Sequence, residues 1–243
     1  MKIFKDINYG SNGNKNQVLD LYIPDCEVTD LLIYFHGGGL EFGDKNSVLV
    51  ENMAKQGKAV ISANYRMYPD AVFPEFLEDA AMAVNWAVKN IAGYIKVNKI
   101  FVGGSSAGAW ITAMLAFAPQ YLEKYNIQTT EITGYIINSA QMTTHFNVLR
   151  EKGINTKRIV IDEAAPIYYI NENTVFPNVF IIVADNDMAC RLEQNQMFLK
   201  TMEVFGAPVE RIRYKLMEGF RHCAYDRLEE FAEILINYMN DTN

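Results

Sequence analysis

The 243-residue sequence has only three cysteines, Cys26, Cys190 and Cys223. A set this sparse and odd argues against a disulfide framework and fits a reducing compartment. Histidine is equally scarce, with only His36, His145 and His222, and no Cys or His spacing has a zinc-binding form, so no metal site is expected. No stretch approaches the roughly eighteen uninterrupted apolar residues of a membrane span. The amino terminus, Met1-Lys2-Ile3-Phe4-Lys5-Asp6, turns polar too soon for a secretory signal. The expectation is a cytoplasmic protein. Positive charge is also short: 22 Lys and Arg against 29 Asp and Glu give a net charge of −7, which opposes phosphate binding and makes nucleic acid an unexpected partner. There is no Walker loop and no well-placed G-x-G-x-x-G, so no nucleotide cofactor is expected. No oligomeric state is argued by the sequence.

What remains is the composition of an ordinary globular chain, 50% hydrophobic and 21% charged, with a packed core and a single domain over 1–243 as the expectation. Short apolar runs alternate with helical stretches, the pattern of a mostly parallel sheet with crossover helices on both faces. Ile3 to Tyr9 and Val18 to Ile23 are split by Gly10-Ser11-Asn12-Gly13-Asn14 and read as an antiparallel hairpin at a sheet edge. Leu31 to Phe35, a helix from about Ser47 to Gln56, and Ala59 to Ala63 make one βαβ unit. A helix follows over Phe76 to Ile91, then a strand at Ile100 to Val102 and a helix from Ala107 to about Phe117. Further strands are expected at Gly134 to Ile137, Val179 to Val183 and Arg211 to Leu216, with helices at about Leu192 to Phe205 and Ala224 to Met239. Residues 142–163 show no clear period and form the candidate lid or insertion.

Gly104-Ser105-Ser106-Ala107-Gly108 fits G-x-S-x-G and lies between an apolar strand and a helix, where a sharp turn exposes the central serine. A bare match arises by chance in about one protein in ten of this length, so position carries the weight. Gly104 and Gly108 give the small flanks that strained backbone needs. His36-Gly37-Gly38-Gly39 follows the Leu31 to Phe35 strand, where backbone N–H groups can approach a developing oxyanion. A glycine turn braced by His36 is the plainer reading of that loop alone; the elbow about seventy residues later argues against it.

A serine hydroxyl needs a base in reach and an acid to orient that base. His36 sits in the glycine loop and His145 in the candidate lid, which leaves His222, after the last strand and before the terminal helix. The acid should follow Val179 to Val183, where Asp185 and Asp187 both stand, one of them serving as a turn former.

The chain resembles the α/β-hydrolases, close to the hormone-sensitive-lipase-like acetyl and carboxyl esterases. Besides the loop and the elbow, the similarity rests on HGGGLEFGDK from His36 to Lys45 and on Asn64-Tyr65-Arg66 with Phe73-Pro74 and Leu77-Glu78-Asp79. It extends to Ala164-Ala165-Pro166 and to Asp185 through Arg191, which is similar to a family segment GxxDxPxR. That likeness implies Asp187 as the acid. It implies a Ser106-His222-Asp187 triad, an oxyanion hole of the Gly37, Gly38 and Ala107 amides, and supporting roles for His36, Gly39, Gly104 and Gly108. The stretch before HGGG is too short for the helical cap of larger members, and Leu40-Glu41-Phe42 replaces the usual run after the glycines. The implied site is therefore open, and its expected substrates are short-chain, acetyl-type esters of small alcohols or sugars.

Two rivals stand beside that expectation: an amide or formamide hydrolase on the same site, and a ligand-binding protein that kept the fold without catalysis. The presence of Ser106, Asp187 and His222 together weighs against the second. Glu41 is read as a solvated side chain, Cys190 and Cys223 as buried neighbours of the triad, and Trp86 and Trp110 as helix packing.

Overall fold

The structure, a computed structural model, describes residues 1–10 and 13–243. Among the described residues eight strands form one sheet: β1 Lys2–Asn8, β2 Val18–Ile23, β3 Val28–Phe35, β4 Ala59–Ala63, β5 Lys96–Ser105, β6 Gly134–Asn138, β7 Val179–Asn186 and β8 Ile212–Arg221. Their spatial order is β1-β2-β4-β3-β5-β6-β7-β8. The first two pair antiparallel, β2 pairs antiparallel with β4, and every later pairing is parallel. This is the α/β-hydrolase fold. The hairpin lies at the edge as expected, while Ser11 and Asn12 of its expected turn fall outside the described residues.

Seven α-helices are described: α1 Val48–Lys55, α2 Glu75–Asn90, α3 Ala107–Phe117, α4 Gln120–Glu123, α5 Phe146–Glu151, α6 Arg191–Val204 and α7 Glu229–Asp241. The central strands alternate between two cores, as the period-two placement of side chains requires. Leu31, Ile33 and Phe35 of β3 face one core with α2, α3 and α6. Leu32 and Tyr34 face the other with α1 and α7. Helix α3 has no polar face, and every residue in it is buried. None of the helices among the described residues is long and apolar enough to cross a membrane.

Several expected boundaries shift. β5 begins at Lys96 and continues to Ser105, because the glycines Gly103 and Gly104, which read as turn, stay in register with Ile136 and Ile137 of β6. The last helix starts at Glu229 instead of Ala224, since Arg221 to Leu228 form successive tight turns. Residues 142–163 contain α5, and Met142 to His145 and Asn147 to Leu149 are buried.

The Asn64-Tyr65-Arg66 segment accounts for much of the tertiary order on this side of the sheet. Asp79, fully buried in α2, accepts from Arg66 N and Nε at 2.9 Å and from Nη2 at 2.8 Å. Gln17 Nε2 donates to the same carboxylate at 2.7 Å. Removing the guanidinium strands a buried carboxylate, which generally costs several kcal/mol. Arg66→Leu is therefore expected to lower unfolding free energy by about 3 kcal/mol in urea denaturation; a loss below about 1 kcal/mol would show that the pair is dispensable.

Candidate active site

The parallel strands end on one edge, where open α/β sheets commonly hold their ligands. Phe35, Ser105, Asn138, Asn186 and Arg221 are the last residues of β3, β5, β6, β7 and β8. The residues that follow those ends converge. Ser106 follows β5, with φ 55° and ψ −113°, a backbone conformation that L-residues avoid. The turn closes only because its flanks are bare: a Cβ on Gly108 would lie 2.0 Å from the Phe35 carbonyl oxygen, and one on Gly104 would lie 2.5 Å from the Gly108 backbone. Ser106 N–H donates to the Asn138 carbonyl at 2.8 Å, tying the elbow to the neighbouring strand end.

Ser106, His222 and Asp187 are brought together. His222 Nε2 is 2.8 Å from Ser106 Oγ, and Nδ1 is 2.5 Å from Asp187 Oδ1. Burial alone would raise the Asp187 carboxyl, but hydrogen bonds from His222, from Ser139 Oγ at 2.7 Å and from Met188 N at 2.6 Å hold it below the usual carboxylate range. An ionised Asp187 fixes the His222 tautomer with the proton on Nδ1, so that Nε2 faces Ser106 as an acceptor. Asp185 does different work: both its oxygens accept from Gly219 N at 2.9 Å, which pins the end of β8 just before His222. Asp185 therefore lies within β7 and ties that strand to β8, in place of the turn-forming role expected of one of the pair.

The glycine loop is anchored at both ends. His36 is buried, stacks on Tyr65 with ring centroids 4.5 Å apart, and has its pKa lowered by that burial. Tyr65 Oη donates to the His36 carbonyl at 2.9 Å. At the far end Lys45 pairs with Asp6 and with the buried Asp20, each at 2.9 Å, while its N–H donates to Asn64 Oδ1 and its carbonyl accepts from Ser62 Oγ. Between these anchors Gly38 takes φ 116°, and a Cβ there would fall 1.9 Å from the Phe42 carbonyl oxygen. Helix α5 adds a third tie, with Asn147 Nδ2 donating to Gly39 O at 2.9 Å. Glu41, expected to be solvated, instead pairs with Arg150 of α5. The amides of Gly37, Gly38 and Ala107 have no protein acceptor among the described residues. Ala107 opens α3, so the partial positive charge of that helix terminus adds to its N–H.

These groups border a cleft of about 440 Å³. Gly37, Gly38, Gly39, Ser106 and His222 line it with an apolar wall of Phe42, Phe146 and Met188. Phe146 belongs to the 142–163 stretch. His145 beside it is buried and caps α5, accepting from Asn147 N at 3.2 Å, with its pKa held well down by burial. Sequence reasoning did not find Ser139, Asn138 or Asp226. Their sole signal is position, at the end of β6, directly after it, or after His222. The cysteines also differ from expectation, because Cys190 is exposed and Cys223 lines the cleft, its Sγ 3.8 Å from His222 Nε2. Burial, together with the Asp226 and Asp187 charges, pushes the Cys223 thiol up, so it stays protonated near neutrality.

The family model BD-FAE matches residues 19–133. Tuliposide A-converting enzyme 2 of Tulipa gesneriana is 25% identical over 83% of this chain, and probable carboxylesterase 13 of Arabidopsis thaliana is 27% identical over 56% of it. The chain spans 60% of the first relative's length and 48% of the second's. A truncated carbohydrate esterase from gut microbiota superposes with a TM-score of 0.79 at 18% identity, covering 99% of this chain and 97% of that one. Esterase B of Lactobacillus rhamnosis gives 0.77 at 16%, covering 98% and 85%.

The strain at Ser106 has a measurable consequence. Glycine tolerates this backbone and alanine does not, so Ser106→Gly should be about 1 kcal/mol more stable than Ser106→Ala in urea denaturation. Equal stability of the two variants would contradict a strained elbow.

Proposed function

We propose that this chain, an α/β-hydrolase resembling the hormone-sensitive-lipase-like esterases, hydrolyses short-chain carboxylic esters through Ser106, His222 and Asp187. The observation that carries the reading is the continuous line of hydrogen bonds from Ser106 Oγ through His222 to Asp187, set beside three amide N–H groups free to donate to an anion. His222 Nε2 takes the Ser106 proton as Oγ bonds to the ester carbonyl carbon, and Asp187 stabilises the imidazolium that forms. Negative charge collects on the carbonyl oxygen, where the Gly37, Gly38 and Ala107 amides receive it. His222 then passes its proton to the leaving alcohol as the C–O bond breaks. Water then bonds to the acyl carbon as His222 takes its proton, and His222 returns that proton to Ser106 Oγ as the acyl-enzyme C–O bond breaks and the acid leaves.

Supporting roles follow from the packing. His36 and Gly39 shape the loop, and Gly104 and Gly108 let Ser106 stand forward. Residues 142–163 act as a small cap, their Phe146 lining one side of the cleft. The modest cleft volume and its three apolar side chains suit an acetyl to butyryl group. The relatives named as carboxylesterase and carbohydrate esterase support an ester substrate with a small or sugar-like alcohol. We place the protein in the cytoplasm on its sparse, unpaired cysteines.

The test is hydrolysis of p-nitrophenyl acetate, butyrate and octanoate. Wild type should show a burst of one nitrophenolate per chain, with acetate or butyrate preferred. Ser106→Ala should lose at least about 10³-fold in kcat, as serine-triad knockouts do. Asp187→Asn should lose on the order of 10³- to 10⁴-fold, while Asp185→Asn retains turnover. Slow linear turnover unaffected by Ser106→Ala would overturn the reading. Inert wild type on all three esters, with turnover of an aryl formamide, would replace it with the amide-hydrolase alternative.

A further inference from the structure

The cleft has a second wall that ester cleavage itself does not use. The turn after β8 places His222, Cys223 and Asp226 along one side of the cleft, while Tyr225 between them points into the core, fully buried. That turn is held by Ala224 N donating to Arg221 O, Asp226 N to Cys223 O and Leu228 N to Tyr225 O. Tyr34 of β3 and Ser105 of β5 also border the cleft. Tyr34 Oη and Asn138 Nδ2 both donate to Ser105 Oγ at 2.9 Å. Asn138 Nδ2 also donates to Asp226 Oδ1 at 2.8 Å, and Tyr225 Oη donates to Asn138 Oδ1 at 2.7 Å. Every neighbour of the Asp226 carboxyl is thus neutral or, in His222, transiently charged.

Asp226 is half-buried, and a carboxylate drawn partly out of water commonly keeps a cation. Lys45 and Lys58 have theirs in Asp6, Asp20 and Asp30, and Arg66 has Asp79 and Glu75. Among the described residues no lysine or arginine pairs with Asp226; His222 is the sole charge that acts on it. Burial pushes the Asp226 carboxyl up to about 6, against the hydrogen bonds from Ser105 and Asn138 and the His222 charge, which favour the anion. At neutral pH it is an anion facing a substrate cleft with acceptor capacity to spare, since each carboxylate carries about four lone-pair sites. Its remaining lone pairs face the cleft, where a donor carried by a ligand can meet them.

We propose that Asp226 is the specificity-determining residue of this cleft, accepting a hydrogen bond from a hydroxyl group that the substrate carries near its scissile ester. The inference rests on the ester-hydrolase reading and narrows it: the preferred alcohol is a polyol or a sugar, with Phe42, Phe146 and Met188 facing the small acyl group or the ring's apolar side. Asp226 is a positioning residue and takes no part in proton transfer. It makes the cleft reject alcohols that leave it unpartnered, because a site that expects a donor is penalised when none arrives.

The experiment compares three acetyl esters of similar size, glucose monoacetate, cyclohexyl acetate and acetylcholine, on wild type, Asp226→Asn and Asp226→Ala. Asp226→Asn keeps the shape and the acceptor for Asn138, so it guards against a folding defect. Wild type should favour glucose monoacetate. The ratio of kcat/KM for glucose monoacetate over cyclohexyl acetate should fall about tenfold or more in Asp226→Ala, mostly through KM, and by less in Asp226→Asn. In wild type that ratio should rise with pH through about 6 as Asp226 ionises; His222 cancels from it, because both esters use the same base. The remaining groups facing Asp226, namely Tyr34, Tyr225 and Cys223, all have pKa values raised by burial and do not titrate there. Equal losses on both esters, an unchanged ratio, or a preference for acetylcholine would overturn the proposal. Calorimetric binding of glucose monoacetate to Ser106→Ala, with and without Asp226→Ala, reads the contact without turnover. Wild type inert on every ester would then defeat the ester-hydrolase reading alone, while equal affinity of the two calorimetric variants would defeat the role of Asp226 alone.

Discussion

The approach of the α3 amino terminus to the Phe35 carbonyl is the constraint on which the site depends. With Gly108 in place, two backbones meet where a single methyl group would sit 2.0 Å from an oxygen. That contact brings the end of β5 and the start of the glycine loop to one point, so Ser106 Oγ and the loop amides face the same small volume. The cost appears as positive φ at Ser106, whereas Gly38 takes its positive φ freely. The surrounding ties over-determine both: Ser106 N–H to Asn138, Tyr65 to His36, Lys45 to its two aspartates and Asn147 to Gly39. Local strain of a few kcal/mol survives where packing leaves no alternative.

A second theme is the separation of charge by environment. Three aspartates near the same edge have three fates. Asp187 has a buried carboxylate yet is held low by three donors, Asp185 sits in solvent on a backbone amide, and Asp226 is half-buried among neutral groups and pushed up. The first suits an orienting acid, the second a structural tie and the third a group that waits for a donor. Identical side chains thus carry different chemistry because of what points at them.

Much of this was legible in the residues themselves. Apolar runs marked Ala59–Ala63 and Ala107–Phe117 at their observed limits, because in buried elements periodicity and length agree. The Ser106, His222 and Asp187 positions followed from chain order and from the resemblance. The ends of β5 and α7 were misjudged, since Gly103 and Gly104 read as turn although a neighbouring strand holds them extended, and Ala224 to Leu228 have helical composition but spend it on turns. Asn64-Tyr65-Arg66 was visible as a motif, whereas its three separate duties were not: they join residues far apart in the chain. The same holds for Asp226 and Ser139, whose meaning lies in partners more than forty residues away.

The central claim is that Ser106 is made nucleophilic by His222. Its most direct measurement is covalent trapping with an alkyl fluorophosphonate, followed by mass mapping of the modified peptide. The account predicts one adduct per chain, formed with loss of fluoride and located on Ser106, and labelling slowed at least about 10³-fold in His222→Ala. An adduct on Ser105 or Cys223, or labelling of Ser106 that is indifferent to His222, would contradict it.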